Sequence, residues 1–264
     1  MKLQDIYVYP IKSLGGIRLE EAEVQERGLK YDRRWMLVDK EGKFLTQRKY
    51  ANMALIQVEL TADGLKVFLK KKPEKQVLVP YEKSDGRELS VVIWEDTVPA
   101  RIVDESISAW FTDQLGIPCD LVIMPNTTKR KLKPKYAVNG ESVSFADGMP
   151  YLIIGQASLD DLNNRLEKPV PMERFRPNFV FSEGEPFAED KGELVKIGSN
   201  EFKITKSCAR CIVITIDQES GEKGKEPLKT LASYRTVDKK VMFGRNMLLL
   251  SGDRVKVGDE VFIG

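Results

Sequence analysis

Apolar residues in this chain fall into short runs separated by turn formers. The stretches "IYVYP", "MLVD", "ALIQVEL", "LKVFLK", "QVLVP", "LSVVIW", "DLVIM", "YLIIG", "NFVF", "FKITK", "IVITID", "MLLLSG" and "VKVGDEVFIG" are rich in Val, Ile and Leu. Bounded by Gly, Pro, Asp or Lys, such runs read as β-strands. Asp63-Gly64 between two of them predicts a hairpin. A helical period is rarer. Ile107, Trp110, Phe111 and Leu115 recur at helical spacing and predict a helix over Glu105–Leu115. A second helix is expected to start at Ser158 as N-cap, with Asp161 three residues on, burying Leu159, Leu162 and Leu166. A third is expected over Glu226–Ser233, with Pro227 in its first turn. Many strands and few helices predict an α+β, mainly β chain, a barrel rather than a doubly wound parallel sheet. The charge run "KKKPEK" at 70–75 reads as a solvated turn. Residues 124–150 are polar and strand-poor, and read as a linker or a loop that carries function.

The 264 residues allow one large domain or two smaller ones. Apolar residues make up 42% and charged residues 31%, as in globular rather than disordered chains. The near-balanced charge, +2, gives no reason to expect nucleic acid or an anionic membrane as partner. No apolar run approaches the roughly 20 residues of a membrane span. The start "MKLQDIYVYPIKS" alternates like a strand and lacks the pattern of a signal peptide. With only three cysteines a secreted disulfide framework is not expected, and the expected compartment is the cytoplasm. There is no histidine. Ser-His-Asp and Cys-His nucleophile sites and His-ligated metals are thereby excluded.

Against that background the C-x-x-C pair in "CARC", Cys208 and Cys211, stands out. A buried packing pair remains open, since free cysteine is often buried. A thioredoxin-like pair sits at a helix N-terminus, whereas the following "IVITID" reads as a strand. Structural zinc needs four ligands and only Cys119 is left to join. Beside the packing pair and a less favoured redox pair stands a single thiolate holding a soft metal. Arg210 next to Cys211 supplies a guanidinium of the kind that favours a thiolate. One thiolate does not hold a metal alone, so the metal would arrive inside a larger ligand with its own anionic end. Lys12 and Ser13 in "YPIKSLGG", Arg33 and Arg34 in "YDRRWMLVD", and Arg176 in "RFRPNFVF" stand at strand ends where an anion would be met. Two glycines after Ser13 would allow a close backbone approach.

The motifs "YPIKSLGG", "DRRWMLVD", "FLTQR", "FADGMPYLIIGQASLDDLN", "RFRPNFV", "CARC" and "KEPLKTLASYR" resemble, in order, those of the MOSC proteins. More closely, the chain resembles the branch holding the mitochondrial amidoxime-reducing component and its bacterial relatives. The resemblance implies a MOSC-type β-barrel with an inserted smaller α/β N-terminal lobe. It divides the chain into 1–121, where the first strand belongs to the barrel and 34–121 to the lobe, and 122–264, the MOSC domain.

It also implies a molybdenum–molybdopterin cofactor with Cys211 as the metal ligand and catalytic residue. The pterin dithiolene would bring further sulfurs, so one protein thiolate suffices. Lys12, Ser13 and Arg33 match phosphate-side cofactor contacts. Arg176, Asn178, Asp147, Gly148, Ala209, Arg210 and Asn246 match further contacts, and Cys208 a secondary position. The implied activity is reduction of small N-hydroxylated substrates: hydroxylamines, amidoximes or N-hydroxylated bases. The alternative is a non-catalytic cofactor or sulfur carrier. The sequence has no four-cysteine iron–sulfur pattern, so electrons would come from a separate donor protein of ferredoxin, flavodoxin or cytochrome type. Neither nucleic acid nor membrane is expected as partner.

Overall fold

The computed structural model describes residues 1–82 and 86–264. Nine strands build one curled sheet. Along its main path the order is Val261–Ile263, Leu194–Ile197, Asn200–Ala209, Lys240–Ser251, Tyr151–Gly155, Phe179–Ser182, Lys2–Val8, Ile17–Leu19. Neighbours are antiparallel except Tyr151–Gly155 and Phe179–Ser182, which run parallel. The first strand thus joins the C-terminal half in one sheet.

The central strands are buried on both faces, which is why they read as continuous apolar runs. Tyr151 and Ile153 enter one core with Ile6, Val8, Phe179 and Phe202. Leu152 and Ile154 enter the opposite core with Tyr7, Tyr9, Val180 and Phe243. In the first core the Tyr151 ring stacks on Phe179 at 5.6 Å and meets Phe202 edge-on at 5.2 Å. Burying side chains of this size contributes roughly 2–3 kcal/mol each.

Between residues 35 and 123 the chain forms two smaller sheets. One holds Trp35–Val38, Asp120–Ile123, Asp96–Ile102 and Glu88–Ile93, and the other Ile56–Leu60, Gly64–Leu69 and Lys72–Pro80. Ile56–Leu60 and Gly64–Leu69 form the hairpin signalled by Asp63-Gly64. In the "KKKPEK" tract residues 71–75 are exposed as expected, whereas Lys70 is half-buried and pairs with Glu219, and residues from Lys72 onward are strand rather than turn. Pro73 is tolerated because this strand lies at the sheet edge.

The Glu105–Leu115 helix buries Ile107, Phe111 and Leu115, starts on the Asp104 carboxylate and ends at Gly116 with φ 69°. The second helix starts at Gln156, two residues before the expected cap. Ser158 lies inside it, and its hydroxyl donates to the fully buried Glu189 at 3.0 Å instead of capping. The third helix covers Leu228–Tyr234, preceded by Pro227.

The cysteine motif departs most from its sequence reading. The approach to Cys208 is strand up to Ala209, irregular in its pairing between Ser207 and Ala209, whereas "IVIT" is a 3-10 turn over Ile212–Thr215. Pairing with Lys240–Ser251 ends at Ala209↔Met242. Beyond it Ile214, Thr215 and Ile216 are buried consecutively, which an alternating strand does not do. Tertiary burial overrides β-propensity here. Among the described residues no helix is long and apolar enough to cross a membrane.

Candidate functional site

Segments from along the whole chain converge on a cleft of about 210 Å³. Lys12 and Ser13 follow the Lys2–Val8 strand, Arg33 precedes Trp35–Val38, and Asp147 and Gly148 precede Tyr151–Gly155. Arg176 and Asn178 precede Phe179–Ser182, and Ala209, Arg210 and Cys211 follow from the end of Asn200–Ala209. Asn246 reaches the same cleft from the adjacent strand. Every cofactor contact implied by the resemblance therefore borders one cavity. Cys208 borders it too, while also packing against the apolar cluster around Phe243. Arg34, the other strand-end arginine, does not: it lines a separate cavity and donates to the Met124 carbonyl and Asn126. Cys119 is buried in the core of the 35–123 segment, so the three cysteines do not form a common site.

Ser13, Arg33 and Arg176 all have left-handed backbones, with φ of 68°, 49° and 54°. Such conformations cost roughly 1–3 kcal/mol at a non-glycine residue and cluster at functional sites. They turn the Arg33 and Arg176 side chains onto Tyr9, with guanidinium carbons 4.3 and 4.2 Å from the ring centroid. Arg33 donates to the buried Asp32 at 2.6 Å, and Arg176 to the Leu14 carbonyl at 2.7 Å. Burial, and then the Arg33 charge, push the Arg176 pKa down to about 10. Positive charge here is crowded and incompletely compensated.

Lys12 is 5% exposed and donates to the Phe145 carbonyl at 2.8 Å and to Asp147 at 2.5 Å. Burial lowers its pKa to about 8 despite the Asp147 carboxylate. Asp147 is accessible at the cleft mouth. Desolvation would raise its pKa, but Lys12 and Arg48 hold it below the usual carboxylate range. The 124–150 segment is thus a positioning loop. Arg130, 4% exposed, ties it down through the Ser144 and Ala146 carbonyls and through Asp96.

Two expectations change in detail. Arg210 does not point to Cys211; its guanidinium donates to the Phe243 and Phe175 carbonyls and leaves Nη2 buried without a partner among the described residues. The guanidinium that reaches the Cys211 side chain belongs to Arg48. Burial alone would lower the Arg48 pKa, but Asp147 and Cys211 outweigh it and the net shift is upward. Arg48 lies in "FLTQR", a stretch with motif character from which the sequence reading singled out no residue. Gly15 and Gly16 do not border the cleft. The room a side chain would need there is taken by Gln57 and the Tyr9 ring. The Asn178 amide borders the cleft but bonds the Tyr7 carbonyl and the Leu152 N–H of flanking strands.

Among the described residues Lys12, Arg33, Arg48, Arg174, Arg176 and Arg210 stand around the cleft, against Asp147 as the single lining carboxylate. Such a lining suits an anion, even with Arg33 and Arg174 paired to Asp32 and Asp217, and the half-buried Cys211 stands at one side. Among the described residues no three of Cys, Asp and Glu cluster to cage a metal ion.

Residues 1–118 match the MOSC N-terminal beta barrel domain and residues 140–262 the MOSC domain. The chain is 33% identical to human mitochondrial amidoxime-reducing component 1, over 98% of this chain and 81% of the relative. It is likewise 33% identical to the human mitochondrial amidoxime reducing component 2, over 88% and 72%. To Arabidopsis thaliana molybdenum cofactor sulfurase it is 35% identical over 92% of this chain, which spans only 32% of that longer protein. The chain belongs to the MOSC family, as a homologue of the mitochondrial amidoxime-reducing components.

Proposed function

We propose that this protein holds a molybdenum–pterin cofactor in the cleft and reduces N-hydroxylated compounds with electrons from a separate donor protein. The observation that carries the reading is the meeting of Cys211 with six cationic side chains in one cavity, in a homologue of proteins named for amidoxime reduction. The residues present fit the group. Arg210 has an orphaned buried N–H, Arg33 and Arg176 crowd their charges, and no protein cage for a free metal exists among the described residues. Lys12, Arg33 and Arg176 would grip the phosphate, with Ser13, Gly148 and Ala209 lining the walls. Cys211 would supply the protein's thiolate ligand.

When bound, the cofactor supplies the two-electron redox couple. In the overall reaction the N–O bond breaks, two electrons and two protons are consumed, and the oxygen leaves as water. Asp147 fixes both Lys12 and Arg48, and the Arg48 charge lies close enough to Cys211 for the two to interact.

The test is reduction of benzamidoxime by purified protein of known molybdenum content, with reduced methyl viologen as donor. Turnover supports the reductase. Stoichiometric molybdopterin without turnover under any donor points instead to a cofactor or sulfur carrier, a reading favoured by the similarity to a molybdenum cofactor sulfurase.

Lys12 sets a pH dependence. A lysine whose pKa is lowered to about 8 is charged at pH 7 and mostly neutral at pH 9. Anion binding that needs the charged form therefore weakens as pH rises through 8, by about tenfold at pH 9. Sulfate keeps its charge over this range and serves as probe of the cofactor-free protein. Calorimetry is expected to give that loss, and Lys12→Gln to flatten it. A flat wild-type profile would remove Lys12 from the anion site.

A further inference from the structure

Beside the cleft lies a second cavity of about 400 Å³, within the range of small-molecule sites. The two share Arg48, Asp147, Gly148 and Ala209, so they meet next to Cys211. Two aromatic rings border the second cavity. Trp94 is 45% exposed, carries the Arg48 guanidinium 4.6 Å from its ring centroid and donates from Nε1 to Asp147 at 3.3 Å. Tyr136 carries the Lys206 ammonium at 4.3 Å.

The charges of this cavity mostly cancel. Glu95 is paired with Lys133 at 2.8 Å, Asp96 with Arg130 at 2.7 Å, and Asp147 with Lys12 and Arg48. Among the described residues no carboxylate lies within 4.0 Å of the ammonium of Lys206 or Lys131. Lys206 is the better placed of the two. A side chain on Gly148 would come within 3.9 Å of its Nζ, so the ammonium stands at the lip between the two cavities. The adjoining Tyr136 ring fixes it and takes the place of part of its water.

We infer that this second cavity seats a substrate with a planar ring and an anionic group, the ring against Trp94 and Tyr136 and the anion on Lys206. The inference rests on the reductase reading and narrows its substrate class to anionic aromatic N-hydroxylated compounds. The anion would be a carboxylate or a phosphate-type group, both of which suit an ammonium donor.

The test compares KM and kcat for benzamidoxime, 4-carboxybenzamidoxime and 4-phosphonobenzamidoxime, in wild type and in Lys206→Gln. In wild type at least one anionic substrate is expected to have a KM about tenfold below the neutral one at similar kcat, and the lower of the two identifies the group. Lys206→Gln is expected to lose this preference while keeping its molybdenum. Equal KM values in wild type, or a preference retained in the variant, overturn the inference. So does loss of cofactor in the variant, which would assign the cavity to the cofactor. If no amidoxime is reduced the reductase reading fails first. Calorimetry with 4-amidinobenzoate and 4-amidinophenylphosphonate against benzamidine then decides the cavity's preference. Neither anion binding more tightly than benzamidine counts against it.

Discussion

Cys211→Ser is expected to abolish N-reductive turnover in a protein that still folds. Serine replaces a soft, ionisable sulfur by a hard and poorly ionised hydroxyl of similar shape, so the loss is chemical rather than steric. The site tolerates the change because Cys211 is partly exposed at the start of a 3-10 turn, where its backbone carbonyl accepts from Ile214. Cys208→Ser is expected to behave differently. That side chain packs partly against the Phe243 cluster, so a hydroxyl there costs stability on the order of 1 kcal/mol and leaves most turnover in place. Melting temperature and benzamidoxime turnover of the two single variants separate the readings. Equal losses would favour a thiol redox pair.

The second large effect concerns the anion grip. Lys12→Gln with Arg33→Gln is expected to give folded protein largely free of molybdenum and pterin. Charge-assisted hydrogen bonds contribute about 1.5–3 kcal/mol each, so losing both lowers affinity a hundredfold or more. Glutamine is chosen over alanine because the Asp32 carboxylate is wholly buried and bonds both Arg33 and the Tyr9 N–H, the latter at 2.9 Å. Alanine would leave it the Tyr9 N–H alone, whereas glutamine keeps a side-chain N–H donor at that position. Circular dichroism with metal and pterin analysis checks the outcome. A double variant that copurifies with a full complement would refute the assignment.

Strand positions were legible because runs such as "YLIIG" and "NFVF" are buried on both faces and carry an unbroken apolar signal. Helix Glu105–Leu115 was legible down to its bounds from its apolar period, and the Asp104 cap and Gly116 that the structure shows agree with it. Local pattern failed where tertiary contacts decide. "IVIT" has the composition of a strand, yet it curls because the ladder stops at Ala209 and its side chains are claimed by the core. Ser158 has the character of a cap, yet it serves a buried glutamate.

The site was readable as a set of residues only through ordered motifs spread over the chain. No local rule brings Lys12, Arg33, Asp147, Arg176 and Cys211 together. Arg48 escaped for the same reason. Its partner Cys211 lies far along the chain, and only the fold brings its guanidinium there in place of the sequence neighbour Arg210. Tyr9, whose ring underlies both Arg33 and Arg176, carried no chemical signal as one more apolar residue after a strand.

The most direct test of the central claim is molybdenum K-edge absorption of the protein purified from molybdenum-replete cells, beside Cys211→Ser. The account predicts bound molybdenum whose sulfur coordination falls by one ligand in the variant. Sulfur coordination that is the same in both, or a wild-type protein that holds no molybdenum, would contradict it.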